Sequence, residues 1–396
     1  MKVLFISNDP AIFDAASAVR ERMRTYAAAI GELHIVSVAP SDAVALVEQV
    51  ENNHFAHGRN ESGFRGGLYL HPVHSWKIFR IRALAERAHA LILGHGIEVV
   101  SAQDPFEHGL AALRAVQGTN AKLHVQVHTD FLSPWFVRSG NWRFSRVRMP
   151  LLNRWRRRIA DEVLPKAAGI RVVSERIKES LLSRYGASIP EPIVIPVAVD
   201  IVAPAPVALP NHNFTFSLIA VGRLEPEKRI EDILVALKLV VPHYPMTGLF
   251  IVGSGSERVR LERMVRSLDL QNNVIFIEGW RPAKEAWGLM RSAQAFIQAS
   301  AYEGYGRTLI EVALAKVPII TTDVGIVGEV FKDHEDVLAV PVADPTALSL
   351  AIVGLIEDMR VRTELPLHAE ESARAHLAAQ GDIPTRIAED LALLLR

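Results

Sequence analysis

The sequence predicts an α/β fold made of two doubly wound domains in tandem. Short apolar runs rich in Val and Ile alternate with longer segments of helical period, and this rhythm pauses at a Pro/Ala-rich stretch, residues 203–210, before it resumes. Strands that are apolar along both faces and are separated by helices indicate parallel sheets covered on both sides. The 396 residues suffice for about two to three domains of ordinary size.

The element order follows from these runs. In the first half the expected strands are Val3–Ser7, His34–Val38, Glu98–Ser101, Leu123–Val127, Gly169–Val173 and Pro192–Ile195, with helices near 14–30, 76–93, 106–117 and 174–185. In the second half the expected strands lie near 214–221, 247–252, 273–277, 294–298, 318–321 and 337–340. The chain from Pro345 onward is expected to be helical, with a break near Gly381–Pro384.

Two domains are therefore expected, a first domain over 1–195 and a second domain over 196–375. The C-terminal helix, about 376–396, could pack back on the first domain. In doubly wound sheets ligands bind outside the carboxyl ends of the strands, so function is expected on the loops that follow strands.

Composition narrows the class of protein. The chain is 49% hydrophobic and 22% charged and contains no cysteine, which excludes disulfides, thiolate metal sites and a cysteine nucleophile. The apolar run at Met1–Ser7 is too short for a signal peptide, and no run approaches the ~18–20 residues that cross a bilayer. We therefore expect a cytoplasmic protein that is at most peripheral to a membrane.

Charge is distributed unequally between the two halves. The whole chain has no net charge, but its first 195 residues carry 25 basic and 18 acidic side chains, whereas the remainder carries 19 and 26. Such an asymmetry indicates two units with different partners.

The segment from Ala299 to Glu311 carries the most informative pattern. A predicted strand ends near Ala299, two glycines let the backbone turn sharply, and a helix is expected to begin near Gly306. Backbone N–H groups at a helix start suit a phosphate. Glu311, about one turn further on, can accept two hydrogen bonds from vicinal hydroxyls such as those of a ribose, and Glu303 precedes the turn. A capped helix with incidental acidic residues fits the same spacing.

Two further loops follow predicted strands of the second half. Arg223 and Lys228 are two cations able to neutralise a diphosphate, although solvated loop charges are the alternative. Gly253-Ser254-Gly255 lacks the last glycine of G-x-G-x-x-G, where Arg258 stands, so a tight turn that packs a helix on a strand explains it better than a dinucleotide site.

Together these segments resemble family 4 of the retaining glycosyltransferases, enzymes with the two-domain GT-B fold, and the resemblance covers most of residues 190–375. The similar motifs are Gly222-Arg223-Leu224 with Lys228 (G-R-L-x-x-x-K), Glu303-Gly304-Tyr305-Gly306 through Glu311 (E-G-F-G-x-x-x-x-E), and 317–325 with Glu329. In the first half, residues 125–130 resemble the family's strand that ends in a histidine near the reaction centre, and His128 takes that position. A structural histidine at a strand end is the rival interpretation.

The resemblance implies two Rossmann-like domains that face an interdomain cleft, with a nucleoside-diphosphate sugar held mainly by the second domain. The implied catalytic residues are His128, Glu303, Arg223 and Lys228. The implied nucleotide-sugar-binding residues are Arg223 and Lys228 at the diphosphate, Gly279, Trp280 and Arg281 beside the base, Glu303 at the donor sugar, Gly304, Tyr305, Gly306, Arg307 and Thr308 around the helix start, and Glu311 at the ribose.

The chemistry of such a transfer agrees with these residue types. Cleavage of the sugar–phosphate bond passes through an oxocarbenium-like transition state, and the diphosphate gathers negative charge that fixed cations and helix-start N–H groups stabilise. A diphosphate leaves readily, so a glycosidase-like pair of carboxylates is not required. No Asp-x-Asp occurs in the chain, so we expect no metal and no cofactor beyond the nucleotide sugar as co-substrate.

Four positions depart from the family's pattern. Ser7–Ala11 lacks a glycine-rich turn, Val197-Ala198 stands where Asn-Gly is usual, and Lys316 and Ile326 each replace a glycine. Because glycine permits backbone shapes that branched side chains resist, the acceptor side and the donor-sugar pocket are expected to be reshaped.

A basic and aromatic segment, Arg138–Arg158, adds a candidate contact with anionic membrane. It holds eight arginines interleaved with Trp142, Phe144 and Trp155, a combination that favours peripheral attachment to lipid. A solvated helix face beside a loop is the alternative. Nucleic acid is not an expected partner, because the cluster is local and the sequence pI is about 7.3.

The sequence thus predicts a metal-independent retaining glycosyltransferase of the hexosyltransferase type, which moves a sugar from a nucleoside-diphosphate sugar to a hydroxyl of a glycan or lipid-linked acceptor. Two alternatives stay open, a sugar-nucleotide 2-epimerase-like enzyme and a non-catalytic module that binds nucleotide sugar. A dehydrogenase is disfavoured, because no proper G-x-G-x-x-G follows the first strand.

Overall fold

The structure is a computed structural model that describes residues 1–7, 9–39, 43–50, 66–137, 150–199, 204–279 and 283–396. The chain forms two compact units. The first unit comprises Met1–Leu132, Met149–Pro196 and Gly381–Arg396, and the second comprises Ser133–Arg148 and Val197–Gln380. Each unit contains one largely parallel sheet with helices, which confirms the predicted α/β class.

The strands of the first unit are β1 (Lys2–Ser7), β2 (Glu32–Val38), β3 (Leu46–Val50), β4 (Gly66–Val73), β5 (Val99–Ala102), β6 (Lys122–Val127), β7 (Gly169–Val172) and β8 (Ile193–Val194). Those of the second unit are β9 (Phe216–Val221), β10 (Thr247–Val252), β11 (Val274–Ile277), β12 (Ala295–Gln298), β13 (Ile319–Thr322) and β14 (Leu338–Val340). The helices are, in chain order, α1 (Ala18–Ile30), α2 (Arg80–His95), α3 (Glu107–Val116), α4 (Pro134–Val137), α5 (Pro150–Val163), α6 (Glu175–Tyr185), α7 (Ile230–Val240), α8 (Arg258–Ser267), α9 (Ala283–Met290), α10 (Arg307–Leu314), α11 (Pro345–Glu357), α12 (Met359–Gln380) and α13 (Ile383–Leu393).

The first sheet has the order β3-β4-β2-β1-β5-β6-β7-β8, and its strands pair in parallel except for β3, which runs antiparallel to β4. The sequence did not predict β3 or β4, because β4 holds two glycines, a histidine and Pro72 in place of a continuous apolar run. Pro72 has no N–H to donate, and it lies beyond Leu70, where the pairing with β3 ends. The strand therefore tolerates a residue that the interior of a sheet normally excludes.

Two buried histidines occupy the interface of β2 and β4. Nδ1 of His34 lies 3.0 Å from Nε2 of His71, and the His34 ring stacks on Tyr69 with a centroid distance of 4.4 Å. Burial lowers the pKa of His71 to about 3, and it also lowers the pKa of His34. Both imidazoles are therefore neutral at physiological pH.

The C-terminal helix α13 is part of the first unit, where it packs against α1. Asp382 caps its N-terminus by accepting a hydrogen bond from the Thr385 N–H at 3.0 Å. Asp390 is 5% exposed, and its Oδ2 lies 3.1 Å from Nε2 of the fully buried His124 on β6. This pair joins the last helix to the centre of the first sheet.

The second sheet has the order β11-β10-β9-β12-β13-β14, and each pair of neighbouring strands is parallel. Its strands are buried on both faces, with fully buried core residues such as Leu218, Leu249 and Ile320. The Pro/Ala-rich stretch is attached to this unit, where the Val207 N–H donates to the carbonyl of Gly288 on α9 at 2.9 Å. None of the helices in the described residues combines the length and hydropathy that crossing a bilayer requires.

We predict that Asp390→Ala lowers the free energy of unfolding by about 2 kcal/mol, because the substitution leaves the buried Nε2 of His124 without its acceptor. Denaturant unfolding measures the change. Glu389→Ala, one position away on the exposed side of α13, is the matched control and should stay within about 0.5 kcal/mol of wild type. Equal stability of the two variants would contradict this role for Asp390.

Candidate active site

Two loops of the second unit leave the same edge of its sheet. Strands β9 and β12 are parallel neighbours, with Ile219 paired to Phe296, so the loops that follow their carboxyl ends lie side by side. A backbone hydrogen bond connects them, from the Ala301 N–H to the Glu227 carbonyl at 2.7 Å. The fold thus brings together residues 222–229, named here the diphosphate loop after its predicted ligand, and residues 299–306, likewise named the sugar loop.

Lys228 and Glu303 meet where these loops converge. The Lys228 ammonium donates a hydrogen bond to Oε1 of Glu303, and the two side chains are 21% and 15% exposed. Ser300 Oγ donates to the same carboxylate oxygen at 2.8 Å. A cation and an acid from separate predicted motifs therefore form one polar cluster that solvent still reaches.

Arg223 lies nearer to solvent. Its side chain is 63% exposed, and Nη2 donates to Oε1 of Glu227 at 3.0 Å. An exposed ion pair of this kind contributes little to stability. The guanidinium can therefore turn to an anionic ligand at small cost.

Helix α10 begins directly after the sugar loop. Gly306 has a φ of +89° and caps the helix without a side-chain hydrogen bond, which a glycine adopts without strain. Glu311 is 13% exposed, and its Oε1 accepts a hydrogen bond from Nε of Arg307 at 2.8 Å. Thr308 lies half-buried in the first turn, and Gly304 is buried in the loop.

Tyr305 has a structural role that the motif did not reveal. Its side chain is 4% exposed, and its hydroxyl lies 2.9 Å from Nε2 of His376 and 2.8 Å from the Gln380 amide nitrogen, both on α12. Burial raises the pKa of Tyr305 to about 12. The phenol therefore anchors the loop to α12.

The glycines at the third motif bring two loops into close contact. A Cβ added at Gly253 would lie 2.0 Å from the Gly222 carbonyl oxygen, and one at Gly255 would lie 2.3 Å from that of Leu224. Hydrogen bonds join the same loops, including Leu224 N–H to the Ser254 carbonyl at 2.8 Å. These glycines allow β10's loop to pack on the diphosphate loop, as the tight-turn interpretation expects.

Two of the departures from the family pattern have a visible structural context. Lys316 adopts a φ of +58°, the conformation that favours glycine, and its ammonium pairs with Glu370 at 2.8 Å. Ile326 is fully buried, and its N–H donates to the Tyr305 carbonyl at 3.0 Å. Lys316 thus connects the end of α10 to α12, and Ile326 holds the backbone of the loop that contains Tyr305.

The predicted base-flanking segment is described only in part. Gly279 follows β11 with a φ of +84°, and a Cβ there would meet nothing within 4 Å. Trp280 and Arg281 lie outside the described residues.

His128 belongs to the first unit, at the end of β6. Its Nε2 lies 3.0 Å from Oε1 of Gln126, which also accepts a hydrogen bond from Nη1 of Arg171 at 2.9 Å. Because that amide oxygen can only accept, Nε2 of His128 carries the proton and Nδ1 carries the lone pair. Burial, and then the charge of Arg171, lowers the pKa of His128 to about 3.

This hydrogen bond begins a directional chain through the first unit. Gln126 Nε2 donates to Ser101 Oγ at 3.0 Å, and Ser101 Oγ lies 2.8 Å from Nδ1 of His124. His124 Nε2 then donates to Asp390. Every donor in this series has its acceptor. The carboxylate of Asp390 determines the tautomer of His124, and the amide of Gln126, oriented by Arg171 and Ser101, determines that of His128. Sequence reasoning missed Ser101, Gln126 and Asp390; alternation along β6 could have placed Gln126 beside His128.

We predict that His128 stays neutral, with its proton on Nε2, from pH 8 to pH 5. Nitrogen NMR shifts of the labelled ring measure this directly, against the pKa of about 6.5 for histidine in an unfolded chain. Gln126→Leu removes the acceptor and should give a mixture of tautomers, whereas Gln117→Leu, at an exposed position, should not. A half-protonation point of His128 above pH 5 in the wild type would contradict the assignment.

Two sequence families match the chain over adjacent segments. The family described as "Glycosyl transferases group 1" matches residues 211–376, and the family described as "Glycosyltransferase Family 4" matches residues 16–202. The first match contains the loops of Lys228 and Glu303, and the second contains His128.

Curated relatives match over shorter stretches. A glycogen synthase of Mycobacterium tuberculosis is 29% identical over 158 residues, which is 40% of this chain and 36% of the relative. A phosphatidyl-myo-inositol mannosyltransferase of Mycolicibacterium smegmatis is 28% identical over 185 residues, which is 45% of this chain and 46% of the relative. The chain thus spans less than half the length of these curated relatives.

Solved structures match over the whole chain. A sucrose-phosphate synthase from Thermosynechococcus elongatus superposes with a TM-score of 0.77 at 20% identity. The superposition covers 100% of this chain and 99% of the synthase chain. The Anabaena protein HepE, solved in complex with UDP and glucose, has a TM-score of 0.71 at 18% identity and covers 99% of each chain. At this level of identity the likeness establishes the fold.

Proposed function

The chain belongs to the group 1 glycosyltransferases of the family 4 type, and we propose that it transfers a sugar, with retention of configuration, from a nucleoside-diphosphate sugar to an acceptor hydroxyl. The observation that supports this most directly is the convergence of Lys228 and Glu303 from two neighbouring strand ends. The binding of UDP by the structurally similar HepE is consistent with such a donor.

The ion pair of Lys228 and Glu303 suggests how the donor would bind. The diphosphate would draw the Lys228 ammonium toward itself, and Arg223, exposed on the same loop, would supply a second cation. The Glu303 carboxylate, still held by Ser300 Oγ, would then be released to accept hydrogen bonds from hydroxyls of the donor sugar. The two charges that pair with each other in this structure would thus separate onto complementary parts of the substrate.

The reaction places its charge where these groups lie. The bond from the anomeric carbon to the phosphate oxygen breaks, the acceptor oxygen forms the new bond to that carbon on the same face, and the proton of the acceptor hydroxyl passes to the departing phosphate oxygen. Lys228, Arg223 and the N–H groups at the start of α10 would stabilise the charge that gathers on the diphosphate. Because these groups do the work that a divalent cation would do, we propose that the transfer needs no metal.

We further propose that Glu311 binds the ribose and that His128 contacts the donor sugar. Glu311 lies in α10 next to the helix start and is 13% exposed, and a carboxylate can accept several hydrogen bonds at once. Neutral His128 would accept a hydrogen bond at Nδ1 from a sugar hydroxyl. A neutral ring suits this task better than a cation, which has no lone pair.

We predict that Lys228→Met and Glu303→Ala each lower kcat/KM for donor turnover by about 100- to 1000-fold, the range for loss of one preorganised stabilising group. A thermal-shift screen of UDP-, GDP- and ADP-sugars first identifies the donor, since a ligand at ~100 times its Kd stabilises the fold by about 2.7 kcal/mol. Glu335→Ala, an exposed acid of the same unit, is the matched control.

Wild-type rates in either folded variant would overturn the assignment. Turnover of the donor without any acceptor would indicate an epimerase instead, and binding without turnover would indicate a non-catalytic module. Assays with and without a chelator should agree, and a complete loss of activity with the chelator would contradict the metal-free proposal.

An anionic membrane surface is the partner that we propose for α5. The predicted basic segment is described from residue 150 onward, and residues 138–149, including Trp142 and Phe144, lie outside the described residues. Within α5, Leu151, Arg154, Trp155 and Arg158 are exposed and spaced on one face of the helix. Such a face, with basic groups beside tryptophan, suits the headgroup region of a membrane and would bring the enzyme to a lipid-linked acceptor.

We predict that the chain co-sediments with anionic vesicles, less so at high salt, and not with neutral vesicles. The double variant Arg154→Gln/Arg158→Gln should lose most of this binding, because these arginines point outward. Arg156→Gln is the comparison, since Arg156 pairs with Glu107 at 2.9 Å within the unit. Binding that is absent, insensitive to salt or unaffected by the double variant would contradict the proposal.

A further inference from the structure

A cluster of metal-ligating side chains lies at the amino end of the first sheet, apart from the candidate active site. Glu32 and His34 alternate along β2 and so face the same side, and Nε2 of His34 lies 3.0 Å from Oε1 of Glu32. His95, at the end of α2, completes the cluster: one ligand atom from each of the three residues lies within 4.8 Å of the others. Among the residues that the structure describes, this is the one such group.

We propose that Glu32, His34 and His95 bind a divalent transition-metal ion of the zinc type. Two imidazoles and one carboxylate form a ligand set that zinc accepts, with water at the fourth position. Zinc–ligand bonds of ~2.0–2.1 Å separate tetrahedral ligands by about 3.3 Å. The Glu32–His34 separation of 3.0 Å is close to this value, and the larger adjustment falls on the exposed side chain of His95.

The residues behind His34 provide the outer support that metal-bound histidines need. Arg87 Nη2 lies 3.3 Å from Nδ1 of His71. Because the guanidinium can only donate, neutral His71 carries its proton on Nε2 and donates it to Nδ1 of His34, so His34 points its own proton at Glu32. Zinc would take the place of that proton between His34 and Glu32. The ring proton of His34 would then reside on its Nδ1, which would donate it to Nε2 of His71. His71 would carry its own proton on Nδ1, so the exposed guanidinium of Arg87 would move away from that atom.

Lys2 shows that this position already attracts a cation. Its ammonium lies 3.4 Å from Oε1 of Glu32 and donates to the His95 carbonyl at 3.1 Å. The same ammonium competes with a metal ion for the carboxylate. Removal of the lysine charge should therefore strengthen metal binding. If the three side chains formed only a structural hydrogen-bond network, removal of that charge would have no such effect.

The site is independent of the proposed transfer reaction. Glu32 and Lys2 begin β2 and β1, whereas His128 follows the carboxyl end of β6. An ion here would join the start of β2 to the end of α2 and so stabilise the first unit. Donor turnover is therefore not its readout.

Zinc and cobalt titrations of the tag-free full chain test the proposal. We expect one ion per chain, and competition against a chromophoric chelator measures its zinc affinity. Bound cobalt should give the visible absorption spectrum of an ion with a low coordination number. His95→Asn and Glu32→Gln should each weaken zinc binding by at least about tenfold, and Lys2→Gln should tighten it. His334→Asn is the matched control, since His334 is 80% exposed in the second unit and its φ of +59° suits asparagine.

His95→Asn removes an exposed ligand at a helix end, so the variant is expected to fold and to keep the donor turnover of wild type. The absence of stoichiometric zinc binding by the wild type would overturn the proposal. Binding that His95→Asn, Glu32→Gln and Lys2→Gln all leave unchanged, or that His334→Asn weakens as much as they do, would overturn it as well.

Discussion

The carboxyl ends of parallel neighbouring strands emerge at one edge of a sheet, and the candidate site of the second unit depends on this constraint. Lys228 and Glu303 are 75 residues apart in sequence, yet β9 and β12 are adjacent, so their loops converge without any long-range device. Gly253 and Gly325 extend the arrangement, because side chains there would collide with the loops of β9 and β12. Four successive strands of the sheet thus contribute loops to one polar cluster.

The sequence predicted most elements of both sheets, because parallel strands buried on two faces leave an unmistakable apolar run. The family resemblance also predicted that Lys228 and Glu303 serve one site, and the structure brings their side chains into contact. The strands β3 and β4 escaped prediction, since β4 is stabilised by His71 and its pairing with β2 and contains the unfavourable Pro72. The local sequence pattern does not identify a strand whose polar groups form hydrogen bonds with residues distant in sequence.

The same limitation applies to the candidate site. Tyr305 stands inside a recognisable motif, but its hydroxyl bonds to His376 and Gln380 on a helix some 70 residues away, and no spacing rule reveals such a partner. His128 was expected from its position at a strand end, whereas the chain through Gln126, Ser101 and His124 to Asp390 is visible only in three dimensions. Motifs name the residues that could touch a ligand, and the fold decides which of them are held in place by others.

The membership of α13 in the first unit affects how the protein is made. The chain completes the entire second unit, Val197–Gln380, before it reaches Ile383–Leu393. At about 5–20 residues per second, a ribosome needs roughly 10–40 seconds for that interval. Throughout it, the nascent first unit lacks Asp390 and exposes the surface of α1 that α13 later covers. The second unit is itself completed only at Gln380, just before α13 begins, so the first unit waits open for nearly the whole synthesis of the second. The first unit is therefore the one that stays exposed longest during translation.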